Sequence, residues 1–107
     1  KRKNMIFLYK NDNKVTAKII VDYTKNKVTV KNYSDFPLEL PFGINTNPTI
    51  KDFEDLLEER CFPRTKDKLK LHLEALGIDY YDPLTIVLKT KGRLEGDFYS
   101  LECIDKD

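Results

Sequence analysis

Only a few side chains in this sequence have the chemistry of a catalyst or a metal ligand, and their spacing limits what that chemistry can be. His72 is the single histidine, so a pair of imidazoles, and with it a multi-histidine metal site, is excluded within one chain. It lies beside Leu69 and Leu73, where the flank of a helix is its simpler role. Cys61 stands between Arg60 and Arg64, and cations that close would favour the thiolate and make it a nucleophile. The same cysteine also continues the apolar face of a helix, which predicts a buried thiol instead. Asp55 and Glu59 are spaced i, i+4, a pair of oxygen donors for a divalent cation or a solvated acidic face. The glycines, Gly43, Gly77, Gly92 and Gly96, stand singly, so no glycine-rich loop can cradle a phosphate. These readings predict no catalytic residue, no metal and no cofactor, and hence a chain that is not an enzyme.

The elements that would position these residues lie mostly between Pro48 and Gly92. Thr49 is placed to cap a first helix, its hydroxyl accepting the N–H of Asp52 while that carboxylate favours the positive helix end. Ile50, Phe53, Leu57 and Cys61, widened by Leu56, recur on one face, and Asp52, Glu54, Asp55, Glu58 and Glu59 occupy the others. Pro63 disfavours helix at Phe62, so the chain turns through CFPRT, and Thr65 is the expected next cap. Leu69, Leu73 and Leu76 make a second stripe that Gly77 should end in a left-handed conformation, with Ile78 reaching back to Leu73. Asp82-Pro83 predicts a third helix carrying Leu84, Val87 and Leu88 as far as Gly92.

Before Pro48 the pattern changes to strand and turn. MIFLYK, residues 5 to 10, reads as a first strand, ended by Asn11-Asp12-Asn13. Val15, Ala17, Ile19, Val21 and Tyr23 then alternate with Thr16, Lys18, Ile20 and Asp22, which predicts one buried and one mostly wet face. Lys25-Asn26 turns the chain into a third strand, where Val28 and Val30 alternate with lysine and threonine. Lys14, Lys18, Lys27 and Lys31 would share the outer face as a basic surface. FPLELPFG, residues 36 to 43, suits an extended crossing with no regular element. After Gly92, Tyr99, Leu101 and Cys103 alternate with Ser100 and Glu102 as a final strand. The expected fold is α+β, a three- to four-stranded antiparallel sheet packed against three short helices on one face. A single domain over 1–107 is expected, with a β-meander at 4–33, a helical block at 48–92 and a final strand at 97–104.

The formal charge of +1 conceals an asymmetry, since residues 1 to 35 hold nine Lys/Arg against three acids and residues 36 to 107 hold ten against fifteen. The asymmetry is read first as ordinary solvated faces, with internal complementarity or two contact surfaces as the alternatives. Two isolated cysteines with no apolar leader or membrane-length run point to a reducing cytoplasm and no membrane partner. The leading Lys1 is read as a missing native start.

Residues 35 to 104 carry a longer pattern: PFGI, then DFEDLLEERCFPRTKDKLKLHLEALGIDYYDPLTIVLKTKGR, then DFYSLE. It resembles a family of small uncharacterised proteins of bacterial mobile elements, with a pattern near F-x-x-F/L-L-x-x-R-C-F-P-R-T-R-x-x-L-K-x-x-L-x-x-L-G-L-D-x-Y-D-P-L. Its layout also resembles the short segment found beside or in front of HipA-like kinases, although no phosphate loop or catalytic loop of such a kinase is present. The ending GRLEGDFYSL departs from the first pattern, which closes on a G-R-M-A-E-D-x-x-W type. What the resemblance implies is an accessory or regulatory role in a phage or other mobile element. A protein partner is expected, a host defence nuclease among the possibilities, met by the carboxylates Asp52, Asp55, Glu58 and Glu59 standing where such an enzyme expects phosphates.

The alternative is a helix-turn-helix-like DNA binder, because Arg60, Arg64, Lys66, Lys68 and Lys70 cluster around the turn and first half of the second helix. The acidic first helix beside them would repel phosphate, and the near-zero net charge lacks the usual basic footprint. We therefore expect Lys66, Lys68 and Lys70 together to contribute little DNA affinity. A mobility shift at sub-micromolar protein that weakens steeply with salt and vanishes in the triple Lys→Ala variant would reverse that ranking.

Overall fold

The computed structural model describes residues 4–106, the side chain of residue 106 excepted. Lys1, Arg2, Lys3 and Asp107 lie outside it, and with them the reading of Lys1 as a missing start and three of the cations counted in the basic half. Alternation of apolar and polar residues produces an antiparallel meander of β1 (Met5–Asn11), β2 (Lys14–Asp22) and β3 (Lys27–Asn32). Its tight turns place Asp12 at φ 58 and Asn26 at φ 53, a left-handed conformation that short polar side chains tolerate. The crossing that follows contains one turn of 3-10 helix at Pro37–Glu39, where the sequence predicts no regular element. Pro37, with φ already fixed and no N–H to lose, starts that turn.

Three helices come next, α1 (Ile50–Glu59), α2 (Leu69–Ala75) and α3 (Pro83–Thr90), and then β4 (Tyr99–Lys106). The last strand pairs antiparallel with the first, giving the order β3-β2-β1-β4. Thr49 caps α1 as expected, in a full capping box with Asp52. α2 is shorter than the sequence implies, and Thr65 does not cap it. Lys66 N–H donates to the Pro63 carbonyl at 3.0 Å, so residues 63 to 66 form a turn, and α2 begins only after Lys68 has taken a left-handed φ of 57. It ends as predicted: Gly77 has φ 76, and Ile78 N–H and Gly77 N–H donate to the Leu73 and Glu74 carbonyls at 3.1 and 2.9 Å. Asp82 precedes Pro83 as expected, but its carboxylate accepts from the Thr85 hydroxyl and not from a helix N–H.

Phe7, Ile19, Val21 and Leu101 from the sheet meet Phe53 and Leu57 of α1 and Ile86 and Val87 of α3, all fully buried. The Phe7 and Phe53 rings are 5.3 Å apart at the centre of this layer. Ile86 is a core residue that the stripe of Leu84, Val87 and Leu88 does not predict. One register shift changes the sheet surface. Tyr9 faces Ala17 but Lys10 faces Val15, so Thr16 is the extra residue of a bulge. Its hydroxyl donates to the Tyr9 carbonyl at 3.2 Å, which is how a polar side chain comes to be buried there. Beyond the bulge the side-chain parity reverses. Val15 is only half-buried, and Lys14 leaves the expected basic face to pair with Glu39 at 3.3 Å.

Gly92 joins α3 to β4 at φ 64, and a Cβ there would lie 2.7 Å from Leu101 Cβ and 2.8 Å from Leu101 N. Gly77 has an equally positive φ but open space around it. Gly77→Ala is expected to cost about 1 kcal/mol from backbone conformation alone. Gly92→Ala adds a backbone clash and should cost at least twice as much in urea denaturation. Equal losses would show that the α3–β4 turn adapts freely.

Candidate functional site

The residues with candidate roles separate once their neighbours are known. Arg60 follows directly on α1 and is 7% exposed. Its Nε donates to the Gly92 carbonyl at 2.9 Å, Nη1 and Nη2 donate to the two Asp97 oxygens at 3.0 Å each, and Nη2 also reaches the Tyr99 carbonyl at 3.1 Å. The planar fork of a guanidinium suits this two-oxygen recognition. Hydrogen bonds from Arg60 hold the Asp97 carboxyl below its ordinary range. A buried guanidinium so engaged is poorly placed to reach a phosphate, and Arg60 becomes a weak member of the DNA-binding set. Arg64 pairs with Glu58 of α1 at 3.1 Å and lies 4.3 Å from the centre of the Tyr81 ring. Lys66 and Lys68 precede α2 and only Lys70 is on it. A seven-residue helix entered through a left-handed lysine is therefore not the expected helix with a basic first half.

The carboxylates of α1 are also partly committed. Asp52 accepts from Thr49 N–H at 2.9 Å and from the Asn45 amide at 3.3 Å, and the Thr49 backbone bond lowers its pKa most. Asp55 pairs with Lys51 at 3.2 Å and Glu58 with Arg64. The expected shared acidic surface is thus divided between a cap and two local pairs, with Glu59 beside them. Among the described residues no group of three metal-ligating side chains comes together. Cys61 is buried, its sulfur 3.1 Å from the Leu57 carbonyl oxygen. Burial pushes the thiol up to about 12, assisted by Glu58, and this outweighs the nearby Arg60. The thiolate chemistry that its flanking arginines invite is suppressed. His72 lies against the Phe62 ring, 5.7 Å between centres, as a helix-flank residue.

A different surface emerges from the sheet. All the strand residues in the core come from one face, together with residues of the helices, and Ile6, Leu8 and Ile20 belong neither to the core nor to its packed periphery. In the register Ile6 faces Ile20 and Leu8 faces Lys18. Lys18 in turn faces Lys31, Ile20 faces Thr29, and Asp22 faces Lys27. The open face of β1, β2 and β3 is therefore an aliphatic centre bordered by lysines, with Ile20 40% and Tyr33 50% exposed. Lys31 lies 5.7 Å from the centre of the Tyr33 ring. Two lysines directly opposite on adjacent strands repel, a cost of about 0.2–1 kcal/mol. Among the described residues neither meets a carboxylate. The sequence marks the lysines of this face. Its aliphatic centre was missed, although Ile20 at a wet position and the unbroken MIFL run were the available signs.

No family model, no curated protein and no solved structure matches the chain.

The Arg60–Asp97 contact gives a pH test. The carboxyl has a lower pKa folded than unfolded, so its contribution is present above the ordinary Asp value of about 3.9 and is lost as pH falls through the folded value. Asp97→Asn should lower stability at neutral pH and flatten the decline in stability below about pH 4. Arg60→Ala should cost about 3 kcal/mol, leaving two carbonyls and a carboxylate without their donor. Chemical denaturation from pH 3 to 7 checks both, and a wild-type slope in Asp97→Asn would show that other carboxylates dominate the acid limb.

Proposed function

We propose that this chain is a non-enzymatic binding module whose partner is a protein, and that the contact surface is the open face of β1, β2 and β3. The observation that carries this reading is the aliphatic group Ile6, Leu8 and Ile20 on the sheet face that no helix covers. An apolar centre with a charged border is the composition of a protein contact, because its centre gains by desolvation and its rim sets orientation. A nucleic-acid backbone would gain little from three aliphatic side chains, and Tyr33 alone is a thin platform for base stacking. In a phage or other mobile element, as the resemblance implies, such a module would act as a regulator or inhibitor of a host protein. A defence nuclease is one such target. The α1 carboxylates contribute less to this reading than expected, since Asp52, Asp55 and Glu58 already have partners within the chain.

Ile20→Asp places a charge at an exposed position and should leave the melting temperature within a few degrees of wild type. Pull-down from source-organism lysate should then yield a protein that survives nuclease treatment and is depleted in the Ile20→Asp sample. Capture that disappears with nuclease would favour the DNA-binding alternative. Undiminished capture by Ile20→Asp would place the contact elsewhere.

A further inference from the structure

Among the described residues β3 lies at one end of the strand order, with β2 on one side and no strand on the other. Tyr33 N–H donates to the Thr16 carbonyl at 2.7 Å, which fixes which backbone groups point inward. Counting back along β3, Lys31, Thr29 and Lys27 direct their N–H and C=O groups at β2, so those of Val28, Val30 and Asn32 point away from the sheet. A strand laid along this edge would meet two different environments at alternate residues. One set of its side chains would lie on the helix side, beside Val28 and the half-buried Val30. The other set would lie on the open face, beside Lys27, Thr29 and Lys31, with Lys18 one strand further in.

We propose that the β3 edge accepts an extended segment of a partner protein as a fifth strand, with apolar residues alternating with Asp or Glu. This rests on the protein-binding reading above and specifies the partner's chemistry. The charge arrangement selects an acidic segment, because Lys18 and Lys31 repel each other in the free chain and an incoming carboxylate relieves that repulsion. Backbone hydrogen bonds supply affinity and alternate side chains supply specificity, as in other strand-addition complexes. A second copy of this chain is a poorer occupant. Its own acidic edge strand, β4, has Glu102 paired with Lys10 at 2.9 Å. Part of that edge is also covered, since Leu101 N–H donates to the Lys91 carbonyl at 2.8 Å and the Tyr99 carbonyl accepts from Arg60.

The test uses an eight-residue peptide alternating glutamate with valine, a lysine-for-glutamate version, and the glutamate version N-methylated at alternate amides. Fluorescence anisotropy at low ionic strength should show saturable binding of the first and binding about tenfold weaker or worse for the other two. Lys18→Glu/Lys31→Glu should reverse the preference between the glutamate and lysine peptides. Val30→Pro removes an N–H that the β2–β3 ladder does not use, so it should fold and lose the glutamate peptide. Absence of saturable binding by the glutamate peptide, or equal binding of its N-methylated form, overturns strand addition. So does tighter binding of an oligonucleotide, or a concentration-dependent dimer that Val30→Pro abolishes. If Val30→Pro still captures the lysate protein that Ile20→Asp loses, strand addition fails while the protein-binding reading stands; if Ile20→Asp loses nothing, that reading fails on its own.

Discussion

The guanidinium of Arg60 joins three parts of the chain that are distant in sequence: the end of α1, the turn after α3, and the start of β4. Each attachment is a hydrogen bond to a group that would otherwise need water, namely the Gly92 carbonyl, the Asp97 carboxylate and the Tyr99 carbonyl. Buried donors and acceptors are costly when unmatched, so the fork stabilises mainly by giving each of its nitrogens a partner. The Gly92 turn is held from its other side by Leu101, whose N–H bonds to Lys91 and whose side chain fills the space a Cβ would need. Together these contacts fix β4 beside β1 and keep α1 and α3 on the same side of the sheet.

The uneven charge along the sequence acquires a different meaning in three dimensions. Several carboxylates of the acidic half are engaged within that half, Asp52 in a cap, Asp55 and Glu58 in pairs of the helical block, and Asp97 in the Arg60 fork. Lys10 and Lys14 cross to Glu102 and Glu39. Among the described residues Lys18 and Lys31 have no such counterpart, and they face each other. Complementarity between the halves therefore accounts for some of the cations of the meander and leaves a residue of positive charge concentrated on one sheet face. Surface pairs of this exposure contribute little to stability, so their arrangement bears more on association than on folding.

How much of this was legible in the sequence depends on the range of the interaction. Thr49 with Asp52, Gly77 with Ile78, and Asp82-Pro83 are local signals whose chemistry is complete within a few residues, and all mark helix boundaries in the structure. The alternation of Val28 and Val30, and of Tyr99, Leu101 and Cys103, likewise identified strands. Thr65 misled because its capping chemistry competes with the turn that Pro63 starts and with the left-handed Lys68. The bulge at Thr16 was invisible because nothing in the β2 pattern marks where the partner strand loses register. Arg60 and Asp97 are far apart in the chain, and only the packing of α1 against α3 brings them together. The candidate surface was half legible, as lysines, and its aliphatic centre became a surface only once every helix was found on the opposite face.

The strand order has a kinetic consequence. β1 is interior, yet one of its two neighbours is the last strand described, so its second ladder forms only when residues about ninety positions away arrive. Closing so long a loop delays the reward for its entropy, and non-local pairing of this kind slows folding. Until then, the meander exposes the far edge of β1, with Phe7 and Met5 lacking their helical cover. Before β4 arrives, the vulnerable side of the meander is the β1 edge. The lysine-bordered β3 edge, already protected by charge, is the less adhesive of the two.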